Sequence, residues 1–383
     1  MFGQINKLFL IGNGFDLAHG LKTQYKHFID NFWESEKTKI LTSNQYSPTN
    51  YDNSHIYEDD ILQIHTPKKI PTLPEDYISQ NAKGYEWFKC LVSNAVSSKY
   101  TFVGSRSSKV EISIKNTFLQ HISEKTYLLN WVDIESEYYY VLKNCFKILN
   151  EDSKKSNYTV DELNKDFEDI RNFLEKYLMS IENNRIEKNT EILRKFKAII
   201  QPDLFSKNDK LNNKDNILFL SFNYTNTENE YISYFKNEIP QNIYSIHIHG
   251  KLNDKKNPII FGYGDELDVD YLKIENSDDD RYLKNIKSIK YLQTPNYREL
   301  LKFIESYRYN VYIMGHSCGM SDRTLLNTIF ENKNCSSIKV FYHQREDGTD
   351  DHNEKIMNIS RNFKDKPSMR AKVIDKTNCE SLV

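Results

Sequence analysis

Lys7-Leu-Phe-Leu-Ile-Gly12, followed at once by Asn13-Gly14-Phe15-Asp16, is the stretch that decides the fold. A continuous apolar run closed by glycine suits a strand buried on both faces. Glycines behind such a strand let the backbone approach a ligand, and exposed N–H groups there can hold phosphate oxygens. The third glycine of the dinucleotide fingerprint is absent, so a plain tight turn competes with ligand binding. Asp16 either accepts from a ribose hydroxyl or caps local N–H groups. A helix is expected from about Thr23, with Tyr25, Phe28, Ile29 and Phe32 on one face.

Strand-like runs return after Asp215, at 217–223, 243–249, 259–262, 310–315 and 338–343. Helical patterns at 297–307 and 323–331 separate several of them. Such alternation implies a parallel sheet with helices on both faces. With the first strand in the same sheet, the expected fold is α/β and Rossmann-like, interrupted by a helical insertion. Residues 35–74 lose periodicity and read as a loop or lid, whereas 112–124, 133–149, 160–180 and 186–200 show spacing near 3.6. The expected domains are 1–35, the first strand and helix of the core; 36–204, the lid and helical insertion; and 205–383, the remainder of the core. The tail after Asp365 is polar and loosely patterned.

Among the 383 residues, 52 Lys and Arg oppose 54 Asp and Glu, so no overall basic excess draws the surface to nucleic acid or anionic lipid. The apolar runs are far too short to span a bilayer, and residues 1–7 lack the layout of a secretion signal. Five scattered cysteines with no C-x-x-C pair fit a reduced, cytoplasmic chain without a zinc site. The abundance of Tyr, Phe, Asn, Lys and Ile reads as drift from an A/T-rich genome, not as a base-stacking surface.

Four further motifs carry possible chemistry. Ser221-Phe-Asn-Tyr-Thr225 closes a strand; Asn223 is either a neutral ligand anchor or an amide satisfying its own turn. His247-Ile-His-Gly250 ends the next strand, and period-two alternation places both imidazoles on one face. They read as a general base, as structural histidines or, without a nearby carboxylate or Cys to complete it, as a metal pair. Gly315-His-Ser-Cys-Gly319 spells a nucleophile elbow, with Asp347, Asp350, His343 and His352 downstream as partners. The alternatives are a phosphate-facing loop, with Ser317 and Ser321 donating before a helix at Ser321-Asp322, or a structural turn. Asn130-Trp-Val-Asp-Ile-Glu135 opens a helix with acidic residues at its positive end, or else aims carboxylates at the crevice.

These residues together resemble the signature of the bacteriophage abortive infection AbiH family. The resemblance rests on Ile11-Gly-Asn-Gly-Phe-Asp-Leu-Ala-His-Gly-Leu-Lys-Thr-Gln-Tyr25, then Asn130-Trp-Val-Asp-Ile-Glu135, Ser221-Phe-Asn-Tyr-Thr225, His247-Ile-His-Gly250, and Gly315-His-Ser-Cys318 before Ser321-Asp322. It covers most of the chain. That family in turn looks like a distant relative of sirtuin-type NAD-binding proteins. The resemblance places Gly12, Asn13, Gly14 and Asp16 at the turn that holds pyrophosphate. It places Asn223 at a sirtuin Asn, His249-Gly250 at the catalytic His-Gly pair, and Gly315, Ser317 and Asp322 at the Gly-Thr-Ser loop and the residues just beyond it. Thr225 stands where sirtuins carry Asp, His316 replaces a Thr, and the paired Cys motifs of the sirtuin zinc module are missing. The resemblance implies an NAD-cleaving antiphage effector without a metal, with Asn223 and His249 catalytic and NAD as substrate or ligand. A nucleotide-binding sensor without catalysis, or a serine hydrolase using Ser317, are the alternatives. Expected partners are a dinucleotide, a phage component or partner defence protein, and a second copy of the chain in a homo-oligomer; no membrane is expected.

Overall fold

The computed structural model describes residues 4–43, 55–65, 84, 86, 100–103, 109–129, 133–150, 158–182, 186–201, 215–239 and 242–383. The chain divides into two compact units, Met1–Thr23 with Leu178–Val383, and Gln24–Tyr177. The strands in chain order are β1 (Ile5–Ile11), β2 (His55–Glu58), β3 (Leu62–His65), β4 (Tyr100–Val103), β5 (Lys109–Ile114), β6 (Ile217–Ser221), β7 (Ile243–His247), β8 (Arg308–Met314), β9 (Cys335–Tyr342) and β10 (Glu380–Ser381).

The first unit is built on a six-stranded parallel sheet in the order β10-β9-β8-β1-β6-β7. Its central strand is the Lys7–Gly12 run, and both faces of that strand are buried as its unbroken apolar character requires. Leu8 and Leu10 pack to one side with Leu218, Leu220, Val311 and Ile313. Phe9 and Ile11 pack to the other with Phe219, Phe196 and Tyr231. Helices Thr190–Ile200 and Asn229–Glu238 cover the second side; Asn296–Ser306, Arg323–Glu331 and His352–Asn362 cover the first. Each fully buried Leu or Phe on these faces contributes about 1.5–3 kcal/mol. The Phe9 ring meets Phe219 and Phe196 with ring centroids 5.0 Å apart in each case.

The order of connection decides where a site can form. The chain steps from β1 outward to β6 and β7, then returns to β8 on the other side of β1 and runs outward again through β9 and β10. The direction of winding therefore reverses between β1 and β8, and the loops leaving these two strands diverge to opposite faces. In open α/β sheets this switch point, at the carboxyl ends of the strands, is where ligands bind.

The second unit carries helices Thr117–Leu129 and Ile134–Asn150, most of Val160–Glu182, and helix Tyr25–Ser43. It also carries a four-stranded antiparallel sheet in the order β2-β3-β5-β4. Phe28, Ile29 and Phe32 are buried, as the helical spacing from Tyr25 predicts. Inside this unit Tyr138 donates to Asn164 at 2.7 Å, and Tyr158 donates to the Asp166 carboxylate at 2.9 Å.

Several local expectations change. Where described, the 35–74 segment is not a loop: Ser35 to Ser43 continues a helix, and 55–58 and 62–65 are strands. Residues 59–61 link those two strands, and 44–54 and 66–74 lie outside the described residues, as do Asn130, Trp131 and Val132. The helix expected from 112 starts at Thr117, because Val110, Ile112 and Ile114 alternate with period two in β5. Residues 259–262 form no strand. Ile259, Ile260 and Phe261 are buried, but Pro258 has no N–H to donate, and Ile260 N–H spends its bond on the His249 carbonyl at 2.8 Å. The tail holds helix Lys366–Lys372, capped by Asp365 on the Ser368 N–H, and the edge strand β10.

Candidate functional site

The loops leaving β1, β6, β7 and β8, four neighbours in the sheet, bring the sequence-predicted residues together at its carboxyl edge. The Gly12–Asp16 turn and the Gly315 turn lie against each other across the switch point. Gly12 N–H donates to Met314 O at 3.2 Å, and Gly14 N–H to Gly315 O at 2.8 Å. A Cβ on Gly12 would sit 2.5 Å from His316 Cα, and one on Gly14 would sit 2.9 Å from Gly315 Cα. Gly315 has φ +80°, and a Cβ there would lie 2.1 Å from the Phe15 nitrogen. The glycine spacing thus serves the close approach of two backbones. The N–H groups expected to cradle phosphate from Gly12 and Gly14 are used inside the protein. Asn13 and Ser317 are exposed beside them; the Asn13 amide oxygen accepts from Thr23.

Beneath the first turn lies a buried polar cluster. Asn223 donates to the Gly12 carbonyl at 3.1 Å. Thr225 donates its hydroxyl to Asp16 Oδ2 at 2.5 Å, and Asp16 Oδ1 has no hydrogen-bond partner. Burial pushes the Asp16 carboxyl up to about 6, against the hydroxyls of Thr225 and Thr227, while the nearby Glu228 carboxylate adds to the rise. Glu228 Oε1 lies 2.6 Å from His247 Nε2, a close contact without hydrogen-bond alignment. His247 Nδ1 is 3.1 Å from the Asn223 carbonyl, which can only accept, so Nδ1 carries the proton.

A second cluster surrounds His249. Its Nε2 is 3.1 Å from Asp322 Oδ1 and 3.1 Å from the Tyr291 hydroxyl. Lys287 Nζ reaches the same Asp322 oxygen at 2.8 Å. His316 Nε2 faces Asp322 Oδ2 at 3.5 Å, and His316 Nδ1 accepts the Cys318 N–H at 2.9 Å. Phe222 closes the cluster, its ring centroid 5.2 Å from that of His249 and 4.0 Å from that of His316. Burial and then the Lys287 ammonium bring His249 down to about 4, so the imidazole is neutral at pH 7. Burial alone would raise Asp322, yet Lys287 and His249 hold it well below the usual carboxylate range.

Gly12, Asn13, Gly14, Asp16, Asn223, His249, Gly315, Ser317 and Asp322 therefore share one edge of the sheet. Asp322, expected beside a cofactor, is the partner of His249. The two histidines of the His247-Ile-His-Gly250 motif do not share partners: β7 ends at His247, and alternation stops with it. Gly250, at φ +84°, packs against the Pro258 carbonyl. The elbow spelling does not give an elbow, because the positive φ of 56° falls on Cys318, not on Ser317. Among the described residues no group of three or more His, Cys, Asp or Glu is placed to hold a metal ion. Lys287, Tyr291, Thr227 and Glu228 were not singled out from the sequence. None sits in a motif, and each gains its place only by meeting residues from another strand's loop.

The fold and this edge define a doubly wound α/β protein with a buried His–Asp–Lys cluster at its topological switch point. The family model described as bacteriophage abortive infection AbiH matches residues 8–344, which is most of the chain, and the chain belongs to that family. No curated protein matches it. Among the described residues, no helix is long and apolar enough to cross a membrane.

Proposed function

We propose that this abortive-infection protein binds NAD at the carboxyl edge of the parallel sheet and hydrolyses the bond between nicotinamide and ribose. The observation that carries the reading is the convergence of the Gly12–Asp16 turn, Asn223 and His249 on one edge at the switch point. The sirtuin-like order of these motifs supports it. Water attacks the ribose carbon as nicotinamide leaves with the bonding pair, and the proton of that water passes to His249. The developing positive charge on the ribose makes this an oxocarbenium-like step. Asn223 acts here as a positioning residue, because its amide holds the Gly12 carbonyl. The exposed Asn13 and Ser317 flank the turns and are the polar groups open to a pyrophosphate. Assembly of several copies belongs to the same proposal.

The test is incubation of the pure protein with NAD, following nicotinamide by chromatography. His249→Ala is expected to lower release by about 100- to 10,000-fold while the protein stays folded. Equal turnover by that variant removes His249 from the scheme. NAD binding by calorimetry with no nicotinamide release, in the wild type, replaces the enzyme with a nucleotide sensor.

A further inference from the structure

We propose that Lys287 is a positioning residue: its ammonium anchors the Asp322 carboxylate, the carboxylate accepts the Nε2–H of His249, and Nδ1 is left as the basic nitrogen. This rests on the reading of His249 as a base.

Three separate segments build the relay. His249 follows β7, Asp322 follows β8, and Lys287 comes from the long connection between those strands. Lys287 is fully buried, and its backbone N–H is held by the Tyr263 carbonyl at 2.9 Å. Gly264 makes the approach possible, since a Cβ there would lie 2.9 Å from the Ser321 carbonyl and 3.3 Å from Lys287 Cβ. The backbone is therefore shaped to bring this lysine beside the loop that carries Asp322.

The proton positions are set by donors and acceptors. An ionised carboxylate only accepts, so a lone pair on His249 Nε2 would face a lone pair on Asp322 Oδ1 at 3.1 Å. The proton therefore sits on Nε2. His316 obeys the same logic: its Nδ1 accepts the Cys318 N–H, so its own proton is on Nε2, which faces Asp322 Oδ2. Asp322 thus faces three donors, from Lys287, His249 and His316. The Tyr291 ring lies parallel to that of His249, the planes 4° apart, and its hydroxyl oxygen is a second acceptor for the same Nε2–H. These groups, with Cys318 behind His316, are the titratable neighbours of the imidazole. Burying an ammonium costs several kcal/mol and a buried ion pair seldom repays it. Orienting the imidazole is a role that an apolar side chain of the same length would not fill.

Spectra of the histidine rings in the full chain test this without any turnover. Long-range proton–nitrogen correlation in the 15N-histidine wild type at pH 7.5 is expected to show His249 neutral with its proton on Nε2. A proton on Nδ1 overturns the proposal. In Lys287→Met, the titration of His249 is expected to move up by about one to three pH units, since a neighbouring cation no longer opposes protonation. An unmoved titration overturns the role of Lys287. Should that variant not fold, Lys287→Met with Asp322→Asn leaves no lone buried charge; the Nδ1–H form is expected to appear there, and a pure Nε2–H form overturns the relay. If the spectra come out as expected while the wild type releases no nicotinamide, the NAD reading fails and the relay stands. If nicotinamide is released but the tautomer is wrong, the relay fails and the activity stands.

Discussion

Replacing Asp16 by Asn tests whether the polar cluster beneath the glycine turn is held at a cost. The carboxyl moves from 3.8 to about 6 on folding, chiefly through burial. The folded state therefore binds the proton more tightly than the unfolded chain. Below about 4 the group is protonated in both states and contributes no pH dependence. As pH rises through the interval to about 6 the unfolded chain loses its proton first, and stability falls; above it the loss is complete. At about 1.4 kcal/mol per pH unit, the cost at neutral pH is about 3 kcal/mol. Asp16→Asn keeps an oxygen to accept from Thr225 and removes the charge beside Glu228. Its stability relative to wild type is thus expected to improve by about 2.4 kcal/mol between pH 4 and pH 7.5. Taking the difference between the two proteins cancels the titrating groups that are not coupled to Asp16. All three tryptophans, Trp33, Trp87 and Trp131, lie within residues 24–177 of the sequence, so their fluorescence reports the wrong unit. The appropriate assay is hydrogen exchange in increasing urea, read by mass spectrometry on peptides covering β1 and β6. A stability difference that stays constant across this pH range refutes the reasoning.

Two glycines with the same backbone twist separate strain from crowding. Gly20, at φ +78°, has nothing within 4 Å of an added Cβ, so Gly20→Ala is expected to cost about 1 kcal/mol. Gly315→Ala adds a clash with the Phe15 nitrogen and is expected to cost at least about 3 kcal/mol; equal losses in urea unfolding would contradict the account of the paired turns. Burial pushes the Cys318 thiol up to about 12, whereas Cys379 is half-exposed. Brief iodoacetamide treatment of the native protein is expected to label Cys379 before Cys318, and peptide mapping that finds the reverse order sinks the burial argument.

The sequence by itself determined the elements whose signals are local. Lys7-Leu-Phe-Leu-Ile-Gly12 is apolar at every side chain after Lys7, and a strand covered on both faces is what such a run requires. Helix Arg323–Glu331 was legible to the residue because Leu325, Leu326, Ile329 and Phe330 repeat on one side of a helical turn. Asn223 and His249 were legible at the carboxyl edge of the sheet because each stands just beyond a strand, and Asp322 because it precedes a helix. Their partners were not. Lys287 lies in Ile286-Lys-Ser-Ile-Lys290, which reads as an exposed lysine; its carboxylate is 35 residues away. The glycines at 12 and 14 read as a phosphate cradle, yet they serve the approach of a turn some 300 residues later in the chain. The split of His247 toward Glu228 and His249 toward Asp322 arises where β7 stops, and strand periodicity says nothing past that point. Burial, ion pairing and the proton each imidazole carries depend on which loops the sheet order sets side by side, and only the tertiary structure decides that.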